Sequence, residues 1–184
     1  MDDWFAGFRV TKQGDSDSAC GLYCVLSAAQ HLFRDDYDAH KAAVLRSIAR
    51  STALSKAMFG SGVMPAHFRA LAGAAGLALW RPRNTGLATL TDMTDDSIWV
   101  ARLRMRFERG DAPASGDAVV AKAGGHGDRH YVLVLGISRR QVTIADPHPW
   151  HEDVFDLERG TFLRSWRSAR DPGGPLWAAR LSAA

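Results

Sequence analysis

The sequence is short of cysteine and of long apolar runs. Only two of its 184 residues are cysteines, Cys20 and Cys24. Two thiols exclude a disulfide framework and make a poor zinc site. No apolar stretch approaches the roughly 20 residues of a membrane span, and the acidic start at Met1 is followed by no apolar signal-peptide core. We therefore expect a cytoplasmic protein of bacterial type that contacts no membrane and whose thiols stay reduced.

An excess of charge of one sign is also missing. The chain has 23 basic and 20 acidic residues, for a net charge of +3. The densest basic clusters, 102–109 and 164–170, alternate with apolar residues, which indicates solvated faces of a fold and no nucleic-acid partner. With 46% hydrophobic and 23% charged residues, the composition is that of a globular protein, and the length predicts one domain over residues 1–184.

The two halves of the chain carry different patterns. The first half predicts three helices, and the run from Ala19 to Phe33 is apolar nearly all round, as in a buried central helix. The predicted helices are 19–33, 38–51 and one that follows Pro65 and stops near Gly76. The second half predicts short strands and one helix. The predicted strands are 77–80, 98–104, 118–121, 131–137, 141–145 and 176–181, and the helix is 157–166. Helices followed by an antiparallel sheet predict an α+β fold in which the central helix packs on the sheet.

The two thiols differ in their predicted surroundings. Cys20 lies in the first turn of the central helix, where unpaired backbone N–H groups and the helix dipole stabilise a thiolate. Cys24 lies one turn deeper in the same apolar helix, where burial raises a thiol pKa and makes the group inert. Cys20 taken alone is better explained by core packing than by catalysis, so a catalytic interpretation depends on a base elsewhere in the chain.

His130 is the histidine best placed to act as that base. It opens the apolar strand 131–137, and a strand end holds an imidazole more rigidly than the glycine-rich loop that contains His126. The next strand ends at Asp146, and a hairpin would bring this carboxylate beside the His130 ring to fix its tautomer. Gln13, seven residues before Cys20, offers a side-chain amide for an oxyanion.

Four blocks, in order, make the sequence similar to a known family, the double-glycine leader peptidases. These are papain-like cysteine peptidase domains best known from bacteriocin-exporting ABC transporters. The blocks are Gln13 followed by Cys20-Gly-Leu-Tyr-Cys24, the stretch 62–77, His130-Tyr-Val-Leu-Val-Leu-Gly136 followed by Val142-Thr-Ile-Ala-Asp146-Pro147, and Phe162-Leu-Arg-Ser-Trp166. The resemblance spans most of the chain, from about Gln13 to Trp166, and the chain is expected to be a stand-alone member of the family.

The resemblance implies a papain-like fold and a role for each matched residue. Cys20 would be the nucleophile, His130 the base, Asp146 the orienting carboxylate and Gln13 the oxyanion donor, with no metal and no organic cofactor. The expected substrate is a peptide or a protein tail with a flexible, small-residue cleavage site of the Gly-Gly kind. Two alternatives stay open at this point: a catalytically silent peptide-binding module of the same fold, and a thiol acyltransferase that uses the same residues.

Overall fold

The structure is a computed structural model that describes residues 8–14, 19–82, 86–91, 97–107, 112–120, 127–171 and 176–184. Helices in these ranges are α1 (Cys20–Phe33), α2 (Tyr37–Arg50), α3 (Thr52–Lys56), α4 (Phe68–Ala74) and α5 (Arg159–Ser168). Strands are β1 (Leu77–Trp80), β2 (Ser97–Met105), β3 (Asp128–Ile137), β4 (Gln141–Ala145), β5 (Val154–Glu158) and β6 (Ala178–Ala183). Among the described residues, no helix is both long enough and apolar enough to cross a membrane.

The six strands form one antiparallel sheet in the order β1-β6-β2-β3-β4-β5. Four of the five helices come before the sheet's main strands, which confirms the predicted α+β class. The predicted hairpin of β3 and β4 is also confirmed, with Leu133 opposite Ala145. Because Asp146 directly follows Ala145, this register brings it to the end of the sheet at which β3 begins.

The two faces of the sheet are covered by different layers. On one face, α1 packs against apolar side chains of β3, including Tyr131, Leu133 and Leu135. On the other face, α5 contributes Phe162 and Trp166 to a second core. Helix α1 is buried on most of its surface, as its apolar sequence predicts, because it lies between the sheet and the other helices of the first half.

Two sequence-based assignments are wrong: one predicted strand and the start of one predicted helix. The predicted strand 118–121 is a 3-10 turn over Gly116–Val119, and Val120 makes only a single bridge to Met105. Gly116 has a φ of 61°, a left-handed conformation that is typical of a turn. Val119 and Val120 are buried because they pack in the second core and not because they belong to a strand. The last position of that prediction, residue 121, lies outside the described residues.

The predicted helix 157–166 begins two residues late because its first residues belong to a strand that the sequence analysis missed. Leu157 lies in β5, opposite Val142. The side chain of Glu158 accepts a hydrogen bond from Thr161 N at 2.8 Å and so caps α5, which starts at Arg159. The apolar alternation of this short strand is hard to distinguish from the first turn of an amphipathic helix.

Candidate active site

The thiol of Cys20 lies at the first residue of α1, beside an open cleft. The residue is 8% exposed, and it lines a cleft of about 750 Å³ together with Gln13 and His130. The side chain therefore stands at the N-terminal end of α1, in a first turn where Leu22 N–H already donates to Ala19 O at 2.8 Å. This position suits a negatively charged sulfur or a reacting carbonyl oxygen.

His130 joins Cys20 to Asp146. Its Nε2 lies 2.6 Å from Asp146 Oδ1, so the nitrogen that remains for the thiol of Cys20 is Nδ1. Burial lowers the pKa of His130, but the charges of Asp146 and Cys20 and the hydrogen bonds to both side chains outweigh burial and raise it to about 10. The ring is thus held in the imidazolium form beside a sulfur that can carry the opposite charge.

Asp146 is fully buried and holds three hydrogen bonds. Its Oδ1 accepts from the His148 backbone N–H at 2.8 Å as well as from His130, and its Oδ2 lies 2.8 Å from His151 Nδ1. Burial would raise the pKa of this carboxyl, but the charge of His130 and hydrogen bonds from both histidines hold it well below its ordinary value. Asp146 is therefore a fixed carboxylate that orients the His130 ring.

His151 was missed by the sequence analysis as a partner of Asp146. Its Nε2 lies 3.0 Å from the carbonyl oxygen of Arg106, and a carbonyl can only accept. The carboxylate on the Nδ1 side also only accepts, so both ring nitrogens face hydrogen-bond acceptors and the ring is fixed between them. The one signal in the sequence was proximity, since His151 follows Asp146 by five residues in a loop with two prolines.

A lysine holds the loop that carries these groups. Lys12 Nζ donates to the carbonyl oxygens of Asp146, His148 and His151 at 3.0, 3.1 and 2.9 Å, and it pairs with Asp153 at 3.0 Å. The adjacent Gln13 backbone N–H donates to Pro147 O at 2.9 Å. The segment around Gln13 is thus fixed to the Asp146 loop, which places its side chain at the cleft.

The aromatic ring of Phe107 packs against the rings of His130 and His148. Its ring centroid lies 5.1 Å from that of His130 and 4.3 Å from that of His148. Burial, followed by the charges of His130 and His151, lowers the pKa of His148 to about 3. His148 is consequently a neutral neighbour of the cluster. The Phe107 ring shields the hydrogen bond between His130 and Asp146 from water.

Cys24 contrasts with Cys20, as predicted. It is fully buried, and its Sγ donates to Tyr131 O at 3.2 Å. Burial, followed by the charges of Cys20 and Asp146, raises the pKa of Cys24 well above its ordinary value. Gly21, between the two thiols, is required by packing: an added Cβ would come within 2.7 Å of Val63 Cγ1 and 2.9 Å of the Phe68 ring.

The structure places three predicted site residues, Gln13, Cys20 and His130, at one cleft, and the fourth, Asp146, lies buried where it bonds to His130; their catalytic roles stay a prediction. The other histidine named as a possible base, His126, lies outside the described residues. Among the described residues, no group of three or more histidine, cysteine, aspartate or glutamate side chains is arranged to hold a metal ion.

The fold resembles that of a solved peptidase domain. Superposition on the peptidase domain of Streptococcus ComA, a bifunctional ABC transporter involved in a quorum-sensing pathway, gives a TM-score of 0.56 over 96% of this chain and 99% of that domain, at 16% sequence identity. No protein-family model matches the sequence, and no curated protein is similar to it in sequence. The comparison at this identity establishes a shared papain-like α+β fold.

Proposed function

We propose that the protein is a cysteine peptidase in which Cys20 is the nucleophile, His130 the general base and acid, and Asp146 the orienting carboxylate. The hydrogen-bonded series from Cys20 through His130 to Asp146, which begins in an open cleft at a helix N-terminus, is the observation that carries this proposal. The fold shared with the ComA peptidase domain supports it.

Acylation begins with the Cys20 thiolate and the His130 imidazolium. The sulfur attacks the carbonyl carbon of the scissile amide, and the oxygen becomes an oxyanion that the Cys20 backbone N–H and the Gln13 side-chain amide stabilise. The tetrahedral intermediate collapses, the C–N bond breaks, and His130 Nδ1 gives its proton to the leaving amine. The acyl group remains on sulfur as a thioester.

Deacylation uses the same groups. His130, now neutral, takes a proton from a water molecule whose oxygen attacks the thioester carbon. The C–S bond breaks, the peptide leaves with a carboxyl terminus, and the thiolate–imidazolium pair is restored. Asp146 keeps Nδ1 of His130 turned toward the sulfur in both steps, because it holds Nε2.

The expected substrate is a peptide leader or a flexible protein tail with small residues before the cleaved bond. Gly62, Val63 and Met64 line the cleft near Cys20, and Trp150 lines it as well. The side chains of Val63, Met64 and Trp150 narrow the cleft and favour glycine or alanine next to the reacting carbonyl. A flexible segment can enter such a cleft in an extended form without unfolding a partner.

A covalent probe and a peptide substrate test this proposal together. A peptide aldehyde ending in Gly-Gly should form a reversible thiohemiacetal with the wild type and with Cys24→Ala, and none with Cys20→Ala, as read by intact-protein mass spectrometry. Peptides with an internal Gly-Gly or Gly-Ala should be cut after the second residue by the same two proteins.

The alternatives would give different products. Tight binding of the peptides without cleavage, and without adduct formation on Cys20, would replace the peptidase proposal by the silent binding module. Accumulation of a product joined to an added amine in place of the free acid would identify an acyltransferase.

A further inference from the structure

Three arginines line the same cleft as the thiol. Arg102 and Arg104 lie on β2, and Arg129 lies on β3, where it stands opposite Arg104 in the antiparallel register. Arg102 stands opposite Tyr131, whose ring packs in the core on the α1 side of the sheet. Residues directly opposite in an antiparallel pair share a face, so these arginines, here called the arginine wall, lie on the side that carries Cys20.

Arg102 is a buried cation with one strong ionic partner. Its side chain is 3% exposed, and its Nη2 lies 2.9 Å from Asp171 Oδ2. Asp171 is 52% exposed and also binds Arg129 Nη1 at 2.7 Å through its other oxygen. One protein carboxylate therefore bridges two guanidinium groups of the wall and fixes their position.

The guanidinium of Arg102 keeps unused donor capacity. Its Nε is buried and has no hydrogen-bond partner among the described residues. Nε and Nη2 lie on one edge of the planar group, and Asp171 already takes Nη2, so Nε is the donor of that edge that stays available for a charge-assisted hydrogen bond to a second carboxylate. A buried ion pair is generally no more stabilising than apolar side chains of the same volume, so packing alone does not account for an arginine at this position.

The charge of the cleft lining is positive on this side. The arginine wall contributes three cations, and Asp128 is the acidic residue among the described side chains that line the cleft with it. Arg104 is held in place through its Nε, which donates to Gly127 O at 2.9 Å. The guanidinium groups of Arg104 and Arg129 are thus held by protein contacts in the same cleft that Cys20 lines.

We propose that the arginine wall binds a carboxylate of the substrate close to the scissile bond. The preferred substrates are then acidic peptides, with the carboxylate supplied by an aspartate or glutamate side chain or by a free C-terminus a few residues beyond the cleaved bond. The link between this carboxylate site and cleavage rests on the proposed peptidase activity at Cys20. The binding of the carboxylate itself rests on the arginines alone.

Matched peptides test the proposal in the wild type. Peptides with an internal Gly-Gly carry one glutamate at successive positions before the two glycines or after the cleaved bond, each with its glutamine counterpart. Further pairs end in a free carboxylate or in an amide. For at least one position of the glutamate, or for the free C-terminus, kcat/KM should be at least about tenfold higher for the charged peptide than for its neutral counterpart. This is the effect expected for a charge-assisted hydrogen bond.

Variants assign that preference to the wall. Arg102→Gln should abolish the ratio of charged to neutral peptide, and Arg129→Gln, at a half-exposed side chain that tolerates substitution, should reduce it several-fold. Arg139→Gln, which removes a positive charge from the exposed turn between β3 and β4, should keep the wild-type ratio. A ratio that stays near one in the wild type, or that survives both Arg102→Gln and Arg129→Gln, overturns the proposal.

Binding to Cys20→Ala separates this proposal from the peptidase proposal. Calorimetry with the same peptide pairs measures recognition without turnover. If the wild type cuts no peptide but Cys20→Ala binds the charged peptide more tightly in an Arg102-dependent manner, the carboxylate site stands and the peptidase proposal fails. If peptides are cut but neither kcat/KM nor the dissociation constant distinguishes charged from neutral, the carboxylate site fails and the peptidase proposal stands.

Discussion

Cys20 and Cys24 are one helical turn apart and have opposite surroundings. Cys20 begins α1, faces an open cleft and contacts an imidazolium. Cys24 is enclosed by the core and donates its S–H to a backbone carbonyl of β3. The same helix therefore presents one sulfur at the cleft beside the His130 ring and encloses the other as a neutral hydrogen-bond donor in the core. The two thiols share their residue type and their sequence motif. The difference in their surroundings therefore arises from the position of Cys20 at the end of the helix and from its contact with His130.

The two positions also influence each other. The charge of Cys20 adds to burial in raising the pKa of Cys24, so ionisation at the cleft makes ionisation one turn deeper still less favourable. Cys24 consequently stays a neutral thiol in the core.

The largest expected effect is on turnover. Cys20→Ala should lower kcat by at least about 1,000-fold, because no other nucleophile lines the described part of the cleft beside His130. Cys24→Ala should keep kcat within about twofold of the wild type, since the sulfur it removes has no access to substrate. Steady-state kinetics on a Gly-Gly peptide measure both, and circular dichroism verifies folding. Equal losses in the two variants would contradict the assignment.

The next largest effect concerns the base and its orienting carboxylate. His130→Ala should lower kcat by about 100- to 10,000-fold, the range for loss of a general acid–base group. Asp146→Asn should lower kcat less than His130→Ala, because the ring keeps its place between Phe107 and the sheet. The pH profile of kcat should shift in Asp146→Asn. Unchanged activity in His130→Ala would transfer the role of base to another residue.

Much of this cleft was predictable from local pattern, and the rest depended on distant contacts. The hairpin of β3 and β4 follows from two apolar runs and a short turn, and it alone brings His130 to Asp146. Lys12 binds carbonyls more than 130 positions away along the chain, and no local pattern indicates such a partner. Arg102 was interpreted as part of a solvated face, whereas it is buried and paired with Asp171, 69 residues further on.

Selective alkylation sharpens the comparison without a substrate. Iodoacetamide near pH 7 should modify Cys20 at least about tenfold faster than Cys24 in the folded protein, because the thiolate is the reactive form and must be accessible. In denaturant the two rates should become similar. Peptide mapping by mass spectrometry gives both rates. Faster labelling of Cys24 in the folded state would reverse the assignment of the two thiols.

The pH dependence of stability should also distinguish the cleft from the helix interior. The pKa of His148 is lowered to about 3 in the folded protein, so the unfolded chain binds this proton first, and the stability contribution present above about pH 6.5 is lost as the pH falls toward 3. His148→Gln should flatten the acid slope of the unfolding free energy. Cys24→Ala should keep that slope, since a thiol with a raised pKa does not titrate there. Urea unfolding at a series of pH values measures the slopes.

The smallest effect is expected at Gly21, between the two thiols. Val63 and the Phe68 ring occupy the space that an alanine Cβ would need, and Phe68 is itself fully buried against Tyr131 and Trp177. Gly21→Ala should therefore lower the free energy of unfolding by about 1–3 kcal/mol, the usual cost of overpacking, and this exceeds the gain from better helix propensity. It should also reduce kcat/KM modestly, because Val63 lines the cleft.

Gly73→Ala is the matched control for that substitution. Gly73 lies in α4 with no atom within 4 Å of an added Cβ and without the positive φ found at Gly76. The same change should there raise stability by about 0.5–1 kcal/mol through the reduced backbone freedom of alanine. Opposite signs at Gly21 and Gly73 in urea unfolding would show that close packing around the first turn of α1 holds Cys20 at the cleft. A stabilising Gly21→Ala would show instead that Val63 yields, and that the position of the thiol does not depend on this contact.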